Sequence, residues 1–160
     1  MSGRARYQLV VGRRRQGTSD PAWPGADIDG VPDGTWYAWR LLSGNNRELG
    51  RSARVFPDPA MCRADVDLVR KQGRRLVPLV TSDVSNGMWT WRVELRGTTV
   101  ALAARLYFRQ REATYNLRTF LAAVAEAIPD AVMADNRRNE NPTSRHRLRL
   151  TNRPTRPPPR

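Results

Sequence analysis

Trp36-Tyr37-Ala38-Trp39-Arg40-Leu41 and Met88-Trp89-Thr90-Trp91-Arg92-Val93 are one motif written twice, 52 residues apart, each following a glycine, Gly34 or Gly87. Past the next turn, Leu49-Gly50-Arg51-Ser52-Ala53-Arg54-Val55-Phe56 matches Val100-Ala101-Leu102-Ala103-Ala104-Arg105-Leu106-Tyr107 at an offset of 51. Cys62, Val66 and Val69 fall on Ala113, Leu117 and Phe120 at the same offset. A pattern held over three successive elements reads as a tandem repeat.

The period within each stretch assigns its structure. Tyr37, Trp39, Leu41 and Trp89, Trp91, Val93, Leu95 alternate, as strands with one buried face do. Ser43-Gly44-Asn45-Asn46 and Arg96-Gly97 supply hairpin turns that tolerate positive φ. Tyr7 to Val11 and Leu76 to Thr81 read as a first strand for each copy. Asp58 followed by Pro59 predicts a helix start, and Gly73 its stop. Met61, Cys62, Ala64, Val66, Leu68 and Val69 include its apolar stripe. Arg111 to Ala127 predicts the second helix. The expected fold is α+β: a tandem repeat of β-β-β-α units, antiparallel sheets each packed by one helix. Because a unit of ~50 residues buries little surface by itself, the two should pack as a pseudo-dimer. The boundaries are residues 5–73, with an insertion at 16–34 that reads as a long loop around Trp23, residues 74–135, and a basic tail at 136–160. That tail lacks the apolar content to fold alone and is expected to be disordered.

The chain carries 28 basic and 15 acidic residues, a formal charge of +13, and every basic residue except Lys71 is arginine. Most of the excess lies at the ends, with Arg4, Arg6, Arg13, Arg14 and Arg15 at one and the tail arginines at the other. Such ends attract nucleic acid or an acidic protein through a long-range, salt-sensitive force. A lone cysteine, Cys62, excludes an internal disulfide, and no apolar run is long enough for a membrane span. No secretory signal is recognisable, so a soluble, cytoplasmic protein is expected.

The hairpin from Trp36 to Leu41 through Gly44-Asn45-Asn46-Arg47-Glu48-Leu49, the helix after Phe56, and the close at Ala127-Ile128-Pro129-Asp130-Ala131 resemble the YegP-like family, the domain of unknown function 1508. The resemblance spans roughly residues 5 to 135 and implies β-β-β-α modules, found singly or in tandem. It implies no catalytic residues, since the family has no established activity. The long insertion, the basic tail, and the less polar third strands at Arg51-Ser52 and Ala101-Leu102-Ala103 depart from the family pattern.

Chemistry-bearing clusters are sparse. The one histidine, His146, lies in the tail, so the folded part offers no imidazole for a Ser-His-Asp or Cys-His mechanism. Cys62 reads as a small core residue. Asp27, Asp29 and Asp33 form an acidic loop, but with glycine fourth and Ala38 twelfth they do not make a calcium loop. Neither G-x-G-x-x-G nor a P-loop occurs, and no cofactor is expected. Trp39, Trp89 and Trp91 read as core. Arg40, Arg54, Arg92 and Arg105, with Phe56 and Tyr107, are expected on the far face as an aromatic and basic surface able to hold phosphates and stack on bases. The expected function is a non-enzymatic binding or scaffolding module, associated with nucleic acid through its basic surfaces and tail. The alternatives are an enzyme using carboxylates and arginines, or a self-associating structural or stress-related protein, a homo-oligomer.

Overall fold

The computed structural model describes residues 3–13, 23, 34–131 and 133–135. The acidic loop of Asp27, Asp29 and Asp33, most of the insertion around Trp23, and the tail with His146 lie outside the described residues. Along the chain, β1 (Arg6–Arg13), β2 (Thr35–Leu42) and β3 (Glu48–Ser52) precede α1 (Pro59–Lys71). β4 (Val77–Ser82), β5 (Trp89–Leu95) and β6 (Thr98–Leu102) precede α2 (Gln110–Val124), and two short strands follow, β7 (Ile128–Pro129) and β8 (Ala134–Asp135).

The local signals act where the sequence places them. Arg96 and Gly97 both take positive φ, 52° and 78°, the geometry a two-residue hairpin turn needs. The Asp58 side chain accepts from the Ala60 N–H at the N-terminus of α1, and Pro59 occupies the first turn. The helix ends at Lys71, with one 3-10 turn over Gly73–Arg75.

The expectation of separate sheets is corrected. The strands form one mixed sheet in the order β4-β5-β6-β3-β2-β1-β7, with β8 also pairing to β1. β3 and β6 join antiparallel through Arg51↔Leu102 and Ser52↔Ala101. Each would otherwise be a bare edge, and pairing the two edges satisfies both rows of backbone groups. β7 and β8 run parallel to β1 and cover part of its outer side, so the sheet is not wholly antiparallel.

Both helices cover one face of this sheet. A single cluster unites Tyr7, Leu9, Trp39 and Leu41 with Trp91, Val93, Cys62, Val66, Val69, Leu117, Phe120 and Val124. Trp39 and Trp91 are 0% and 1% exposed. Gly50 sits at the join: a β-carbon there would come within 2.6 Å of Trp91 and 2.7 Å of Phe120, so glycine is what lets those rings reach across β3. A smaller cluster lies on the other face, where Trp23 of the insertion packs on Trp36 beside Val10 and Ala38.

Candidate polyanion-binding surface

Register fixes one row of side chains across the face opposite the helices. Gln8 pairs with Arg40, Arg40 with Arg51, Arg51 with Leu102, Leu102 with Arg92, and Arg92 with Leu79. Directly paired residues share a face, so Arg40, Arg51 and Arg92 lie on one line. Their charges are engaged locally. Arg51 donates from Nε to Glu48 at 2.8 Å, and its guanidinium lies 4.5 Å from the Trp23 ring centroid. Arg92 donates to Glu94 at 3.0 Å. Arg40 donates to the Gln8 side-chain oxygen at 2.8 Å; burial lowers its pKa from the ordinary arginine value, with Glu48 opposing. Trp23 is held on this face by donating its Nε1–H to the Ser52 carbonyl at 3.0 Å.

Arg54, Arg105 and Tyr107 lie elsewhere, on the helix side. Asp65 of α1 accepts from the buried Trp39 Nε1 at 2.7 Å and also pairs with Arg54 at 3.4 Å. At the matching place under α2, Asn116 accepts from Trp91 Nε1 at 2.7 Å. Arg54 lies over Phe56 and Arg105 over Tyr107, with guanidinium-to-ring distances of 5.2 and 5.0 Å. Phe56 and Tyr107 belong to the main core, and each bridges back to a strand, Tyr37↔Phe56 and Trp89↔Tyr107. Burial raises the Tyr107 phenol pKa, against the lowering effect of Arg105. Tyr107 therefore offers no open ring to a ligand. The expected shared surface divides: Arg40 and Arg92 on the open sheet face, Arg54 and Arg105 beside the helices. Strand alternation ends at Ser52 and Leu102, so counting in twos no longer sets the direction of Arg54 or Arg105.

A stronger basic and aromatic surface lies around α2. Arg111, Tyr115 and Arg118 occur at i, i+4 and i+7, opposite the buried stripe of Ala113, Leu117, Phe120 and Val124. All three are exposed, Tyr115 to 74%, and Phe108 just before the helix is 71% exposed. Arg109 stands at the N-cap without a side-chain capping bond. Arg105 and Arg47 adjoin this region, since both act on the Tyr107 hydroxyl together with Glu112. Among the described residues, Arg109, Arg111 and Arg118 form no ion pair.

The signal for this surface was present in the 51-residue offset. Residues 109, 111, 115 and 118 fall on Asp58, Ala60, Ala64 and Asp67, so an acidic and small surface on α1 becomes basic and aromatic on α2. A helix packing on this sheet thus tolerates the α1 side chains at the same positions.

Other chemistry is thin. Among the described residues no three His, Cys, Asp or Glu side chains gather as a metal site, and no helix is long and apolar enough to cross a membrane. A shallow cavity of about 300 Å³ lies between Arg4, Ala5 and the α2 residues Thr119, Ala122, Ala123 and Glu126. Burial pushes the Cys62 thiol up to about 12, which leaves it protonated and poorly nucleophilic at neutral pH.

No family sequence model matches the chain, and no curated protein does. Two solved structures are similar in fold. YegP of E. coli, a protein of unknown function, aligns with a TM-score of 0.55 at 12% identity, covering 84% of this chain and 94% of that one. A UPF0339 protein of Shewanella oneidensis aligns with a TM-score of 0.49 at 9% identity, covering 84% and 92%. The chain therefore shares the α+β fold of YegP.

Proposed function

We propose that the protein is a non-enzymatic binding module whose ligand is nucleic acid, held by the arginines around α2. The fold is shared with a protein of unknown function and brings no activity with it, so the reading rests on the surface. One observation carries it: among the described residues, Arg109, Arg111 and Arg118 are presented without carboxylate partners around an exposed tyrosine, while the positions 51 residues earlier carry aspartate and alanine. Exposed cations interleaved with aromatics suit a phosphate backbone with bases attached. The arginines of the open sheet face are engaged by Glu48, Glu94, Gln8 and the Trp23 ring and are not needed for this reading.

In this proposal the body is a tandem duplication of a β-β-β-α unit, fused as a pseudo-dimer about the β3–β6 pair. Support comes from the matched sequence offsets, from Trp39–Asp65 against Trp91–Asn116, and from register shifts at Leu41/Leu42 and Val93/Glu94 in the two hairpins. The first unit supplies structure and the second the contact surface. The single cysteine, reduced and buried, suits a cytoplasmic site of action.

The test is a fluorescence-anisotropy titration of a mixed-sequence oligonucleotide, single-stranded and duplex, at two salt concentrations. The full chain is compared with the triple variant Arg111→Ala, Tyr115→Ala, Arg118→Asp, which gives α2 the side chains of α1. The basic C-terminal segment is the same in both proteins, so the difference reports α2. We expect the variant to bind roughly tenfold more weakly, with a salt slope shallower by about 1.4 on single strands for two lost arginine contacts. Equal affinity and equal slope in the two proteins would overturn the reading.

A further inference from the structure

We infer that the outer edge of β4 docks a second copy of this chain, β4 against β4 in antiparallel register about Val80. β4 ends the sheet, and among the described residues no strand pairs with its far side. The phase of the ladder shows which groups that side presents. Asp83 donates its N–H to the Met88 carbonyl at 2.8 Å, so 83 and 88 are a bonded pair. Stepping by two along the antiparallel ladder, 81 with 90, 79 with 92 and 77 with 94 are bonded pairs as well. The residues between them, Pro78, Val80 and Ser82, turn their backbone groups outward. Pro78 has no N–H, and in this phase β5 asks for none.

The same edge of the first half is already closed by a strand. Leu9 pairs with Trp39 as Val80 pairs with Trp91, so Tyr7 corresponds to Pro78. There the carbonyls of Ala5 and Tyr7 accept from Ile128 and Asp130, in the segment that carries β7. The two halves also meet edge to edge, through the antiparallel pairing of β3 and β6. β4 is the edge that neither solution covers, and an uncovered edge is a template for another strand.

Charge selects the occupant. A chain of formal charge +13 repels its own copies over much of its surface, yet residues 76–82 contain no charged side chain. Val77, 52% exposed, and Leu79 add apolar contact on the open sheet face beside the join. The proline sets the register. With Val80 opposite Val80 of the second copy, each Ser82 N–H meets a Pro78 carbonyl, so the proline only has to accept. The match is self-complementary, as a two-fold dimer requires. One strand pair falls short of the ~800 Å² per partner of a standard stable interface, so the dimer is weak and forms as concentration rises.

The test follows the full-length protein over a wide range of concentration, by sedimentation velocity and by amide hydrogen exchange, in salt enough to screen its net charge. Two variants accompany it. Thr81→Lys, at an exposed position of β4, puts like charges on the diagonal of the new strand pair, with β-carbons about 7–8 Å apart. Thr98→Lys adds the same charge at an exposed position of β6. We expect the wild type to move from monomer toward dimer. Exchange at Val80 and Ser82 should slow with concentration, while Val77, Leu79 and Thr81, already bonded to β5, stay unchanged. Thr81→Lys should self-associate about tenfold more weakly, and Thr98→Lys as the wild type does. A wild type that stays monomeric with unchanged exchange would overturn the inference. So would a dimer that Thr81→Lys leaves intact, or Val80 and Ser82 amides protected in the dilute monomer, since another part of the chain would then cover the edge.

Discussion

Gly50→Ala probes the join between the first and second halves of the sheet. The added methyl would lie 2.6 Å from a Trp91 ring carbon and 2.7 and 2.9 Å from two carbons of Phe120, against an optimal carbon separation of about 3.5–4.0 Å. Both rings are enclosed, at 1% and 0% exposure, and cannot swing into solvent. Overpacking of this kind costs about 2–3 kcal/mol. Alanine recovers roughly 0.5–1 kcal/mol of the entropy that glycine loses in a strand, leaving a net cost of about 1–2.5 kcal/mol. At roughly 4 °C per kcal/mol for a body of this size, the melting temperature should fall by about 4–10 °C. Urea melts followed by tryptophan fluorescence and by far-ultraviolet circular dichroism would measure it. Phe120→Leu makes room at the same contact, so in the Gly50→Ala background it should cost at least about 0.5 kcal/mol less than it does alone. A Gly50→Ala protein as stable as the wild type, or strictly additive double-variant costs, would refute a core shared across β3.

Two further expectations follow from buried groups. Asp65→Ala orphans the Trp39 indole N–H and should cost about 1–3 kcal/mol, whereas Asp65→Asn copies the Asn116 arrangement and should cost about 1 kcal/mol or less; equal losses in urea melts would contradict this. Cys62 should resist alkylation in the native protein and react on unfolding. Its folded pKa of about 12 lies above the ordinary value of 9.0, so its contribution to stability is complete below pH 9 and is lost as pH rises toward 12. The stability of the wild type relative to Cys62→Ala should therefore decline over that window, and a difference independent of pH would refute the assignment.

How far the sequence reveals this molecule depends on how local each signal is. Alternation placed Trp39 and Trp91 inward, and Asp58-Pro59 and Arg96-Gly97 marked a helix start and a turn, because each involves only neighbouring residues. The pairing of Arg51 with Leu102 was not legible, since it joins strands far apart in sequence and depends on which edges meet. The parallel addition of β7 and β8 to β1 likewise rests on where the chain travels after α2. Strand alternation puts Arg54, Arg105 and Tyr107 on the open face only when it is carried past the last strand residues, Ser52 and Leu102, where it no longer holds. The α2 surface is hidden for the opposite reason: a repeat shows in what its copies keep, and Arg111, Tyr115 and Arg118 lie where the copies differ.

The α2 surface itself is tested most directly by nuclear magnetic resonance. Backbone amide shifts of the full-length protein, followed as a mixed-sequence single strand is added, should move at Arg105, Phe108, Arg111, Tyr115 and Arg118 and stay still at Asp58, Ala60, Ala64 and Asp67 of the other helix and its cap. Shifts confined to the sheet face of Arg40, Arg51 and Arg92, or equal shifts on both helices, would contradict it.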